Sequence, residues 1–154
     1  MKPAVKRPRR FPLVIALLIA MIAFGGIASA ASTLVTVEIK GQYAKRHRTA
    51  CHEVNKFFKF FHRGSSIEWE GLATPAPTSH FSVRLEVKHC IGGTWVKIKD
   101  HFTTGKPLTG DFRGFFSAKP LAPRSHKAHA VKYFRARAIV GPTRSLYEYF
   151  AVTN

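Results

Sequence analysis

Two cysteines, eight histidines and one close pair of glutamates are the residues with the most chemistry to offer in this chain of 154 residues. Cys51 and Cys90 are the only thiols. Outside the cytoplasm an even cysteine count reads as a disulfide, here Cys51 to Cys90. Closing a loop of ~40 residues contributes roughly 4 kcal/mol in the chain-entropy model, less any strain. Two buried free thiols are the competing reading, and two cysteines alone make a poor metal site. A Cys–His hydrolase would need one of these thiols reduced. The adjacent His52 and His89 supply no base for it, because neighbours on a strand point to opposite faces.

Glu68 and Glu70 flank Trp69. On a strand they share one face at ~6.5–7 Å, twice the rise per residue. An inverting glycosidase uses a similar separation. Two carboxylates on one strand do not sit on opposite sides of a sugar ring, and the surrounding lysines and arginines favour a solvated, charge-paired face. His126 and His129 are the closest histidine pair. That spacing binds zinc on a helix. In a loop or strand, with no carboxylate nearby in sequence, it reads as exposed imidazoles that gain charge as pH falls toward ~6. No nucleophile elbow, phosphate-binding glycine loop or dinucleotide fingerprint is present. The reading assigns no catalytic residues, no cofactor and no metal site. A small hydrolase built on Glu68 and Glu70 or on a cysteine stays open as a minor alternative.

Charge points to partners instead. Of 25 Lys and Arg, five fall in the first ten residues, leaving 20 against eight Asp and Glu, a net charge near +12. Such a field attracts polyanions and repels cations. Arg124, Lys127, Lys132, Arg135 and Arg137, with His126 and His129 among them, form the densest basic stretch and are the expected anion-binding residues. The run Phe57-Phe58-Lys59-Phe60-Phe61-His62-Arg63 is the most unusual segment. It is either a strand with buried rings or an exposed aromatic–basic patch that enters a membrane interface or grips a partner.

The elements that must position these groups follow a leader. Met1 to Arg10 is basic, Phe11 to Ala28 is apolar and uncharged, Gly25-Gly26 interrupts it, and Ala28-Ser29-Ala30 is a small-x-small cleavage motif. These are the three parts of a secretory signal in order, with the cut between Ala30 and Ala31. Left uncut, residues 11–31, about 21 without a charge, would anchor the chain in a membrane with its domain outside. Residues 1–30 are thus read as the signal peptide and 31–154 as a single basic domain.

After residue 31 the pattern has period two. Val35, Val37 and Ile39 alternate with polar residues, as do Phe81, Val83, Leu85 and Val87. Gly92-Gly93 marks a tight hairpin, Thr74-Pro75-Ala76-Pro77-Thr78 a loop, and Val131–Val140 and Ser145–Thr153 the last strands. Residues 42–50 read as an exposed connection and 103–111 as a loop. Seven or eight strands at roughly ten-residue spacing predict an all-β antiparallel sandwich with one wet face per sheet.

Trp69 between the two cysteines echoes the Cys-Trp-Cys arrangement of immunoglobulin domains, although Lys88 stands where their tyrosine would. The segments Lys106–Phe116, Tyr133-Phe134-Arg135-Ala136-Arg137-Ala138 and Tyr149-Phe150-Ala151-Val152-Thr153 resemble the small secreted bacterial β-sandwich domains related to immunoglobulin and fibronectin type III modules. The resemblance implies an immunoglobulin-like architecture and carries no catalytic residues. The expected function is that of a secreted or cell-surface, non-enzymatic binding or structural module contacting anionic envelope polymers or a membrane surface, with no specific nucleic acid. A secreted cationic toxin using the Phe-rich run is the alternative.

Overall fold

The computed structural model describes residues 33–154 apart from His126 and Ala128. The leader and its expected cleavage point, Ala30 and Ala31, lie outside the described residues. Ten strands build two sheets: β1 (Leu34–Lys40), β2 (Ala44–Ala50), β3 (Glu53–His62), β4 (Ser66–Thr74), β5 (Phe81–Ile91), β6 (Thr94–Gly105), β7 (Asp111–Ser117), β8 (Val131–Val140), the two-residue β9 (Thr143–Arg144) and β10 (Glu148–Thr153). A 3-10 turn spans Lys119–Leu121. No helix among the described residues is long and apolar enough to cross a membrane.

The small sheet runs β1-β4-β7 and the large one β2-β3-β10-β8-β5-β6, with β9 on β8. They stack as a sandwich. Alternate residues of each sheet fill the space between: Ile39, Ile67, Trp69, Phe112 and Phe116 from one, Phe61, Val83, Leu85, Val87, Phe134, Phe150 and Val152 from the other. Phe134 and Phe150 stack at 5.1 Å, while Phe61 and Phe116 meet Phe150 edge-on at 6.2 and 6.1 Å. Burying each such ring stabilises by about 1.5–3 kcal/mol, which makes this layer the main driving force for the fold.

Two glycines admit the largest rings. Gly71 lies opposite Phe112 and Gly114 opposite Trp69 across the β4–β7 pair. A Cβ on Gly71 would overlap the Phe112 ring, and one on Gly114 would overlap the Trp69 indole. Each ring therefore covers its neighbour's bare backbone, the glycine–aromatic pairing that sheets use at close approaches.

Five sequence expectations change. Residues 42–50 are not a connection: β2 pairs antiparallel with β3 from Ala44↔Phe60 to Ala50↔Glu53. The count rises to ten strands. Pairing is not all antiparallel, since β10 runs parallel to β3 from Phe150↔Lys59 to Thr153↔His62. β6 continues to Gly105, which shortens the loop expected over 103–111.

The outer face of the large sheet is not simply wet either. Phe58, Phe60, Ala50 and Ala151 are buried there, packed with Trp95, Tyr133 and Tyr149. This explains the Phe-rich run. On β3, Phe61 enters the main core while Phe58 and Phe60 point the other way and are also covered. Lys59, 7% exposed, sits on the core side at the rim, where its ammonium meets Glu148 at 2.7 Å and Glu38 at 3.7 Å. Only Phe57 is substantially exposed, at 47%.

The Cys51–Cys90 disulfide is present, with Cα atoms 5.7 Å apart. It joins the β2–β3 turn to the end of β5, just before the β5–β6 turn. Gly92-Gly93 closes β5–β6 with φ of 56° and 81°, and Cys51-His52 closes β2–β3 with φ of 49° and 62°. Both are two-residue turns that need positive φ at both positions, the type I′ geometry of tight hairpins. Trp69 lies on the inner face of the small sheet, away from the disulfide.

Candidate anion-binding face

Eight carboxylates cannot neutralise 20 cations, so what matters is which cations they take. Glu53 and Glu86 take two of the sequence-predicted arginines. Arg135 donates to Glu53 at 2.6 Å and Arg137 to Glu86 at 2.9 Å. Both guanidiniums also stack on Tyr147, at 4.0 and 4.8 Å, and Arg135 reaches Trp95 at 4.9 Å. Their side chains are 18% and 16% exposed. The Tyr149 hydroxyl donates to the other oxygen of Glu53. Burial first, and this bond to Glu53 second, push that phenol up to about 12. The result is a rigid aromatic–arginine lattice whose charges are already answered.

Glu68 and Glu70 do share the outer face of β4. Arg113 donates to Glu68 and Lys40 to Glu70. Those bonds are the largest cause of the raised Arg113 and Lys40 values, ahead of their other charge interactions. Glu70 lines a cavity of about 580 Å³ with Glu38, Asp111, Lys106 and Arg113.

Lys132 faces away from Arg135 and Arg137 and lines a different cleft. Arg124 and Lys127 are exposed in the loop before β8. The Asn154 side-chain amide donates to the carbonyls of Ser125 and Lys127, so the end of the chain tethers that loop. His126 lies outside the described residues. The five expected anion-binding residues therefore fall into three places rather than one patch.

The groove beside that loop has a volume of about 290 Å³ and is walled by Arg46, Arg48, Tyr43, His62, His129 and Asn154, over a floor of Phe60 and Tyr133. Arg46 and Arg48 are exposed, and each guanidinium lies 5.9 Å from the Phe60 ring centroid, within cation–π range. His62 stacks on Tyr43 at 3.9 Å with planes 9° apart. No carboxylate side chain lines this groove. Neither arginine has an ion pair among the described residues, and the same holds for Lys45, Arg124 and Lys127.

Sequence reasoning missed Arg46 and Arg48 because it placed them in a connection. The available signal was their i, i+2 spacing, which puts both on one face once the segment is a strand. The intervening His47 points the opposite way and meets Phe57 edge-on at 4.9 Å. Compared with known proteins, the chain matches no family model and no curated sequence.

Proposed function

We propose that the chain is an exported, non-enzymatic binding module that holds anionic polymers of the cell envelope in the groove between β2 and β8. The observation that carries this reading is the Arg46/Arg48 pair. Two guanidiniums project from one edge strand over an aromatic floor, in a groove with no carboxylate side chain to occupy them. Guanidinium forks suit phosphate and carboxylate groups, and the Phe60 ring holds both stems in place. His62 and His129 add ring nitrogens that can hydrogen-bond an anion.

Export is supported by the three-part leader and by the disulfide, which persists in oxidising compartments. Cleavage between Ala30 and Ala31 would release the domain. A non-enzymatic role is supported by the pairing of Glu68 and Glu70 with cations and by oxidation of both thiols.

We also propose an immunoglobulin or fibronectin type III kinship. The orders β1-β4-β7 and β10-β8-β5-β6 correspond to the A-B-E and G-F-C-C′ sheets of such modules. The β2–β3 hairpin is then an insertion after the first strand, and the disulfide belongs to that insertion rather than to the inter-sheet position.

The test is retention on immobilised polyphosphate and polygalacturonate across a salt series. Affinity should fall steeply with salt. Arg46→Gln/Arg48→Gln should weaken it by about tenfold or more, the loss expected for two charge-assisted bonds. Lys97→Gln/Lys106→Gln, which removes the same charge elsewhere, should change little. Retention that ignores salt, or equal loss in both double variants, would sink the reading.

A further inference from the structure

The flank of the sandwich where β6 borders β7 holds a second, separate cleft of about 310 Å³. Its walls bring together His89 of β5, Lys99 and His101 of β6, Phe116 of β7, and Lys132 and Phe134 of β8. That volume is at the lower end of small-molecule pockets. Each imidazole lies flat on a phenylalanine: His89 on Phe134 at 4.7 Å and 21°, His101 on Phe116 at 4.3 Å and 19°. The imidazoles thus cover the phenylalanine faces, and the cleft is apolar at Ile98, Pro120 and Leu121 and cationic at Lys99 and Lys132.

No carboxylate side chain lines it. Neither lysine has an ion pair among the described residues. Asp100, next to both Lys99 and His101, is engaged elsewhere, with Lys97 at 2.8 Å and Arg84 at 3.8 Å. Lys132 is partly buried and Lys99 exposed, so the two ammonium groups leave an unanswered positive field at the mouth of the cleft, strongest at the half-buried Lys132 where charge interactions strengthen.

We propose that this cleft binds a small organic anion, a carboxylate carried on a short apolar chain. Lys99 and Lys132 would hold the carboxylate, while Ile98, Pro120 and Leu121, which also line the cleft, would cover the apolar part. The groove of the polymer reading has no share in this, since it lies on the outer face of the large sheet and this cleft opens on the flank.

The histidines report occupancy. Burial is the main cause that lowers both values, and the charges of Lys132 on His89 and Lys99 on His101 lower them further, with Asp100 opposing at His101. In the empty cleft both imidazoles are therefore neutral at neutral pH. A bound carboxylate cancels the lysine fields and favours the imidazolium forms, so binding takes up protons.

The experiment titrates sodium octanoate into the protein as isolated, disulfide intact, and follows the His89 and His101 ring protons by NMR across pH. Octanoate should shift both signals saturably and move their titrations to higher pH. Octan-1-ol, which lacks the charge, should not move the titrations. Lys99→Gln/Lys132→Gln should weaken octanoate by about tenfold, and Lys99→Arg/Lys132→Arg should retain it. No saturable shift at millimolar octanoate, equal shifts with inorganic phosphate, or unchanged affinity in the Gln pair would each overturn the proposal.

Discussion

Removing the disulfide by Cys51→Ala/Cys90→Ala should cost the domain most of its margin of stability, and the loss should begin at one place. The two cysteines are 39 residues apart, and opening a loop of that length costs about 4 kcal/mol through the unfolded chain. For a domain of this size that lowers the melting midpoint by about 15 °C. The native state adds a local effect. Cys51 and His52 both hold positive φ without being glycine, at roughly 1–2 kcal/mol each. A free β2–β3 tip relieves that strain by opening. The base of the hairpin stays pinned, because Phe58, Phe60 and Phe61 are buried and β3 pairs with β10. Urea unfolding measures the global change, and native-state hydrogen exchange maps the local one. Amides from Thr49 to Asn55 should lose protection first, while those of β5 and β8 keep theirs down to global unfolding. A stability change under about 1 kcal/mol, below the range of measured effects, or uniform loss of protection with no focus at the tip, would refute the reasoning.

Gly114→Ala tests the core. The added Cβ overlaps the Trp69 indole, and overpacking of this kind costs about 1–3 kcal/mol. Thermal unfolding should show the loss together with a changed Trp fluorescence, and an unchanged midpoint would mean that the indole does not lie over this glycine. Acid provides the other test. The folded values of His89 and His101 lie below the ordinary 6.5, so the unfolded chain binds protons that the folded chain refuses. Stability present above 6.5 should decline as pH falls through that value and level off below the folded values. His89→Gln/His101→Gln should flatten this part of the curve, and stability that rises as pH falls through the same window would contradict the burial of these rings.

The sequence made the core strands legible because each has one face in the core. Val83, Leu85 and Val87 alternate with polar neighbours, and Gly92-Gly93 marks its own turn, so β5–β6 could be drawn in advance. β2 could not. It is an edge strand with both faces largely in water, so Lys45, Arg46, His47 and Arg48 carry no hydrophobic period. Its turn uses Cys51-His52 in a geometry that normally advertises itself with Asn or Gly. The run of five on β3 hid its meaning for the opposite reason. Both of its faces are covered, so alternation vanishes in favour of continuous aromatics.

The binding residues were harder still, because a basic sequence says how much charge there is and not which cations are free. Arg135 and Arg137 sit in the densest basic stretch, yet acids far away in sequence neutralise them: Glu86 directly across from Arg137, and Glu53, two strands over, for Arg135. Arg46 and Arg48 look like a solvated connection, yet they stand over Phe60 with no acidic side chain in their groove. With eight carboxylates for 20 cations, the fold decides the matter by register. Glu86 across from Arg137 makes that arginine part of the structure. The edge hairpin pairs Arg46 and Arg48 with Phe58 and Lys56, which leaves its guanidiniums to whatever anion the surroundings supply. Charge on an edge strand also discourages pairing with another chain, so under the proposed function one pair of residues would serve both solubility and recognition.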